Sequence, residues 1–410
     1  MSLVTGVGLC ADTDLLTALE EAASKARSEC PEPAVVLAFI TFNYPAGELA
    51  AAANKLSDAF PDAVCAGGQV NGLTFEDERY DAVFANRHAV AVVCFGGDGI
   101  RGAAALRPDV SHDNARSLGG TLAQDALAKL GVPAVGGILF GLGLASVPAL
   151  DQQLVNGVRD VAPRLRLSGT GFCGGMTTEG MNLPGRAFLG RDLVEQGAML
   201  LVLGGSSLRL GFSVANGMKA TGRGAFVTKA EGPEIVEMDG RPAKEVVLEL
   251  LAGDSAEDRA MFEKNPTVTS IEKGVALAAP DIEGEFHWCH AVAMFTPRGG
   301  AIDAFGPRKG MGLAVVRIDP ESCMDAVGEA AKMLEEDAGG DSFEFTLAFS
   351  CALRGFTLGA NIAREDAEFR RHVNTRRHLG VIANGEIGCY RHGRPAFTGW
   401  VFALMGALAG

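Results

Sequence analysis

AVVLAFITF at 34–42, GELAAAANKLSDAF at 47–60 and AVCAGGQV at 63–70 together decide the fold class. The first run is dense in β-branched and aromatic residues, as in a buried strand. The second repeats apolar residues at helical spacing, and the third returns to a short apolar run broken by glycines. Strand, helix and strand in that order predict a mixed α/β unit.

The alternation continues outward. HAVAVVCFGG (88–97) and AVGGILFGL (134–142) are further strand candidates, and SHDNARSLGGTLAQDALAKLG (111–131) reads as a helix with Ser111 at its N-cap. ALDQQLVNGVRDVAP (149–163) reads as a helix leading into RLSGTGFCGG (166–175). SVANGMKATGRGAFVTKAEG (213–232) is polar, glycine-rich and without helical period, which predicts a domain boundary. Beyond it the pattern restarts with PAKEVVLELLAG (242–253), and SCMDAVGEAAKMLEED (322–337) places Met324, Val327, Ala331 and Leu334 on one helical stripe. FTLAFSCAL (345–353), LGVIANGEIG (379–388) and GWVFALMGAL (399–408) are strands. The expected fold is therefore α/β (mixed α+β). Two domains, 1–225 and 226–410, each carry stacked mixed β-sheets flanked by helices, an αββα-like sandwich.

Composition narrows the function. The 410 residues carry 36 Lys plus Arg against 50 Asp plus Glu, a formal net charge of -14. Nucleic-acid affinity rests on clustered basic residues, so a polyanion partner is disfavoured. The densest basic run, from Arg370, Arg371 and His372 to Arg376, Arg377 and His378, follows Glu365, Asp366 and Glu368 and reads as a solvated helix face. Nine widely spread cysteines with no CxxC pair argue against a disulfide framework. The opening MSLVTGVGLCADTD has neither the positive start nor the apolar stretch of an export signal. The apolar ending TGWVFALMGALAG falls short of the ~20 residues of a membrane span. A reducing cytoplasm is expected, with no membrane insertion.

No phosphate loop, HExxH zinc site or GxSxG elbow occurs. GLGLAS (141–146) lacks the third glycine of a dinucleotide turn. His287-Trp288-Cys289-His290 is the most metal-like cluster. On a strand its two histidines face opposite ways, which excludes one shared zinc but leaves His287 or His290 open as an axial haem ligand. Ser350, Cys351 and Arg354 end an apolar strand. There Arg354 has the fork for a carboxylate or phosphate, while Ser350 or Cys351 would need a neighbouring base, such as His372, His378 or Glu386, to act as a hydrolase nucleophile. Asn384-Gly385-Glu386 sets a carboxylate in a glycine-bounded corner, as a pocket wall or as a plain Asn-Gly hairpin. AVCAGGQV aligns Gly68, Gln69 and Val70 with Gly385, Glu386 and Ile387 of GVIANGEI (380–387). RLSGTGFCGG is a looser third instance of this internal repeat.

These segments, in this order, resemble a FIST protein. VANGMKATGRGAFVTKAEGPEIVEMDGRPAKEVV (214–247), FTLAFSCALRGFTLG (345–359) and GVIANGEIGCYRHGRPAFTGWVFALMG (380–406) are similar to the FIST C domain. AVCAGGQVNG (63–72), GGILFGLGLASVPALDQQLVNGVRD (136–160) and LSGTGFCGGM (167–176) are similar to the FIST N domain. Gln69 stands where the pattern commonly has Glu, and Cys389 where Pro is usual. The resemblance implies a bacterial sensory module that binds a small ligand and signals to a separate protein such as a kinase or cyclase; a subset resembles haem-based nitric oxide sensors. The expected pocket has Gly67, Gly68 and Gln69 as one wall and Ser350, Cys351, Arg354, Asn384, Gly385 and Glu386 as the other. Haem at His287 or His290, and a hydrolase using Ser350 or Cys351, are the alternatives.

Overall fold

The 34–70 stretch folds as read: strand Pro33–Thr41, helix Leu49–Ala59, and strand Val64–Val70 parallel to the first with Val35 opposite Val64. The computed structural model describes residues 3–82, 85–111, 113–142, 149–170, 175–177, 180–280, 286–290, 292–303, 306–390 and 393–410. A strand and helix precede this unit, Val4–Cys10 and Leu15–Glu29, and strand Val90–Gly96 follows it. That last strand lies between the first and second.

The same arrangement recurs twice. Arg101–Arg107, helix Ala115–Leu130, Ala134–Gly141, helix Ala149–Val161, Leu167–Thr170 and Ala198–Gly204 form the second unit. Leu208–Asn216, helix Pro320–Ala338, Phe345–Cys351, helix Arg364–His372, His378–Ala383 and Val401–Ala409 form the third. After its third strand each chain segment leaves its own sheet and joins another. Gly72–Phe75 pairs with the third unit, Glu386–Cys389 with the second, and Arg186–Leu189 with the first. The exchange is cyclic, so the units interlock.

Register is shared as well. Phe39, Phe140 and Phe349 hold one position in the three units, opposite Gly68, Thr170 and Val381 on one side and Ala91, Met199 and Ala403 on the other. Their rings converge, with Phe39 at 6.1 Å from Phe140 and 6.4 Å from Phe349. The inner faces of all three sheets fill one core around these rings, while helices cover the outer faces. The expected mixed α/β class with helix-flanked sheets is what the chain adopts, arranged around a shared centre. The internal repeat is real but its short alignment was out of step: by register Gly67 matches Gly169 and Gly380, so Asn71 matches Asn384.

The polar stretch 213–232 is not a linker. It forms the end of strand Leu208–Asn216 and all of strand Lys219–Glu231, with a bulge between Ala220 and Gly224 that absorbs the glycines. The expected boundary at 225/226 lies inside this second strand. Residues 219–317 are an insertion between the first strand and first helix of the third unit, entered and left by the pair Lys219 and Arg317. Strands Phe286–His290 and Val292–Phe295 end opposite edges of its sheet although one residue separates them, so the sheet curls round helix Ala243–Ala252.

Two local expectations change. The helix expected from Ser111 begins at Ala115 after Asn114, whose side chain accepts from the Ser111 amide. In the basic run, Arg376 and Arg377 are past the helix and bind Glu344 at 2.9 Å and Glu29 at 2.5 Å, tying the third unit to the first.

Candidate functional site

Strand Phe345–Cys351 is buried along its length because it runs mid-sheet under a helix. It ends at Cys351, and helix Ala352–Leu358 carries Arg354 back into the interior, where it is 0% exposed. A buried guanidinium needs partners, and two of its nitrogens have them, while among the described residues Nη1 makes no hydrogen bond. Its Nε donates to Glu365 Oε1 at 2.6 Å and its Nη2 to the Cys323 carbonyl at 2.7 Å. The Ser350 hydroxyl donates to the other Glu365 oxygen at 2.7 Å. Burial opposes the charge on Arg354, but the Glu365 carboxylate beside it raises its pKa. Arg354 and Glu365 thus form a closed ion pair with a hydroxyl strut.

Glu386 opens the crossing strand Glu386–Cys389, directly after Gly385, whose φ of 83° lets the chain turn from one sheet to another. The corner is therefore a switch between sheets: Ala383 and Glu386 pair with different units, so it is not a hairpin. Glu386 is 0% exposed, and among the described residues neither carboxyl oxygen makes a well-formed hydrogen bond. The Cys351 thiol and the backbone N–H groups of Gly385 and Val401 lie within electrostatic reach of it. Burial drives its pKa well above the ordinary glutamate range, and burial with the neighbouring Glu386 drives the Cys351 thiol up likewise. The corner holds a neutral acid against a neutral thiol.

The repeat supplies an internal comparison. By register the counterparts of Glu386 are Ala187 and Leu73, both apolar and part of the shared core. An acid at one of three equivalent core positions costs stability without a packing return.

Of the expected residues, Ser350, Cys351, Arg354, Gly385 and Glu386 come together. Asn384 sits half-buried beside Gly385, where solvent approaches the corner. Gly67, Gly68 and Gln69 lie on the first unit's sheet, and their close contacts are with the strand crossing from the second unit. A side chain on Gly67 would strike Phe188, Gly68 pairs with Ala187, and Gln69 accepts from Arg186 at 3.3 Å. The strand carrying His287 and His290 forms and pairs with Val275–Pro280, but both side chains lie outside the described residues. Among the described residues no group of three or more His, Cys, Asp or Glu side chains could hold a metal. Cavities of about 260 Å³ beside Arg166 and Tyr390, and of about 580 Å³ beside Arg27 and Arg101, are lined by other residues.

Sequence reading missed Glu365 and assigned it to a solvated stretch. The available signal was Phe369, four residues on: the helix buries Glu365, Asp366 and Phe369 on one face. Asp366 accepts from Thr74 at 2.9 Å, binding the first unit's crossing strand to the third unit's helix.

For a nucleophile the corner is poorly equipped. His372 faces Glu368 at 3.1 Å and His378 faces Thr346 at 2.9 Å, so neither reaches Ser350 or Cys351. A neutral thiol beside a neutral acid is unreactive. Cys351 is expected to stay unmodified by iodoacetamide in the folded protein and to react in urea, as read by peptide mapping. Rapid native labelling would contradict this.

Glu386 also sets a pH dependence. Above the ordinary value of 4.5 the unfolded chain loses this proton while the folded corner keeps it. Stability therefore falls by about 1.4 kcal/mol per pH unit until the raised folded value is passed, then levels. Glu386→Gln is expected to remove that slope in urea titrations at stepped pH; equal slopes in both proteins would refute it.

An α/β protein of interlocked repeats with a buried acid at the corner of its third unit is the class these observations define. The chain belongs to the FIST family: the FIST N domain matches residues 34–241 and the FIST C domain residues 243–389. FIST domains are generally associated with small-ligand binding in sensory signal transduction. No curated protein matches the chain. Among solved structures, a cyanuric acid hydrolase from A. caulinodans is similar at 10% identity and a TM-score of 0.33, covering 77% of this chain and 99% of that one. A second cyanuric acid hydrolase structure is similar at 9% identity and a TM-score of 0.30, covering 77% and 100%. Likenesses this slight carry no function across. Among the described residues no helix is long and apolar enough to cross a membrane.

Proposed function

We propose that the chain is a sensory protein that binds a small hydrogen-bonding ligand at the Cys351–Glu386 corner and passes the signal to a separate protein such as a kinase or cyclase. One observation supports the ligand site: Glu386 is buried, with neither oxygen in a well-formed hydrogen bond among the described residues, where the other units have Ala187 and Leu73. Buried polar groups are nearly always satisfied, so a carboxyl left bare is one whose partner arrives from outside. As a neutral acid it donates one hydrogen bond and accepts others. Arg354 sets the floor, with Nε on Glu365 and Nη2 on the Cys323 carbonyl, and among the described residues its buried Nη1 is left for the ligand as well. Asn384 and Gly385, half-buried, form the approach. Free thiols at every cysteine the structure describes agree with a reducing cytoplasm.

Native mass spectrometry of the protein as purified tests the site. A retained small molecule is expected, and Glu386→Leu should release it while the chain stays folded. Retention unchanged in Glu386→Leu, or no bound mass in either protein, would overturn the proposal.

A further inference from the structure

Trp400 lies in the turn before strand Val401–Ala409, in the left-handed region at φ 60°. By register its counterparts are Gln196 in the second unit, with φ 57°, and His88 in the first, which is not in the left-handed region, so the turn allows that conformation without imposing it. Polar side chains tolerate it, whereas a bulky aromatic there is an outlier held only by its surroundings. Trp400 is 3% exposed, and its Nε1 donates to Thr357 Oγ1 at 3.3 Å. Its ring shares an apolar cluster with Leu358 and Ile362 of the third unit and with Ala276 and Ala278 of the insertion strand Val275–Pro280. Its own backbone N–H lies against the Cys351 sulfur, and that of the next residue, Val401, against the Glu386 carboxyl. One strained residue thus touches the corner with its main chain and the insertion with its side chain.

We infer that Trp400 is a positioning residue that couples the corner to the insertion: a change of proton or ligand at Glu386 shifts the Trp400 turn, and with it the seat of the insertion sheet. Among the described residues the groups facing Glu386 are the Cys351 thiol, the Arg354 guanidinium already paired with Glu365, and Thr170 opposite it in register. Arg354 favours the ionised form but is held in place by Glu365 and the Cys323 carbonyl, so ionisation of Glu386 is resolved by movement of the amides that face it, those of Gly385 and Val401. Val401 adjoins Trp400. The coupling rests on the Glu386 reading above, and protons serve as the probe so that the two stand or fall separately.

The chain has two tryptophans, so Trp288→Phe leaves Trp400 as the only indole. Its emission is expected to shift to the red with rising pH, and Glu386→Gln on that background should abolish the shift. Amide exchange over Val275–Pro280 should become about tenfold faster in the parent than in Glu386→Gln for each pK unit released, the two being equal in acid. Trp400→Asn keeps a residue that accepts the turn but removes the indole, and should uncouple the exchange from pH; Trp400→Phe should restore part of it. A purely structural role would alter stability in these variants without moving the pH profile. Identical profiles in the parent and Glu386→Gln, or a pH response surviving in Trp400→Asn, would overturn the coupling. A retained molecule without pH-linked exchange sinks the coupling alone. The linked exchange with no retained molecule at any stage sinks the ligand reading alone.

Discussion

Replacing Arg354 with methionine is expected to lower the unfolding free energy by about 3–5 kcal/mol. The guanidinium is 0% exposed and gives two of its nitrogens to Glu365 and the Cys323 carbonyl. Methionine fills much of the stem's volume but leaves the Glu365 carboxylate buried without its cation, and that uncompensated charge is the main cost. Arg79, which also feels the Glu365 charge, is itself buried and already paired with Asp81 at 2.6 Å. Because the loss comes from a stranded charge, Arg354→Met with Glu365→Leu should recover most of the stability even though it deletes more polar contacts. Urea unfolding of the two variants at neutral pH decides it. If the single variant loses less than about 1 kcal/mol, the pair behaves like an exposed one and the closed floor of the corner is wrong.

Gly169→Ala is expected to cost about 2–5 kcal/mol, from backbone strain and overpacking together. Gly169 has φ 150°, and a Cβ there would come 2.0 Å from the Leu139 carbonyl oxygen of the parallel neighbouring strand. Backbone cannot step aside without breaking the sheet. Gly380 holds the same place in the third unit, yet the atom a Cβ would meet first, also at 2.0 Å, is the Thr74 hydroxyl. A side chain can rotate, so Gly380→Ala should cost less, about 1–3 kcal/mol. Thermal unfolding of both variants gives the order directly. A reversed order would mean that the shared register of the units does not determine their packing.

The buried strands, their helices and the glycine-ended third strands were legible because burial and period are local properties of a run of residues. The sheet-switching corner at Asn384-Gly385 was harder, since an Asn-Gly pair serves a hairpin equally well and only the partners of the flanking strands distinguish the two. Glu365 was misplaced because charge alone suggests solvent, and its burial depends on an arginine carried by a different helix. Gln69 aligns with Glu386 on a three-residue likeness that the register does not support.

The sequence by itself determined the mixed α/β class and the repeated strand-and-glycine pattern, because each is written in the spacing of neighbouring residues. Only the tertiary structure decided that three units exchange strands in a ring, that Glu386 faces a core where Ala187 and Leu73 stand in the other units, and that Trp400 links this corner to the insertion. Strand pairing between residues hundreds of positions apart is chosen by which faces can be buried together, and that choice is made by the whole chain at once.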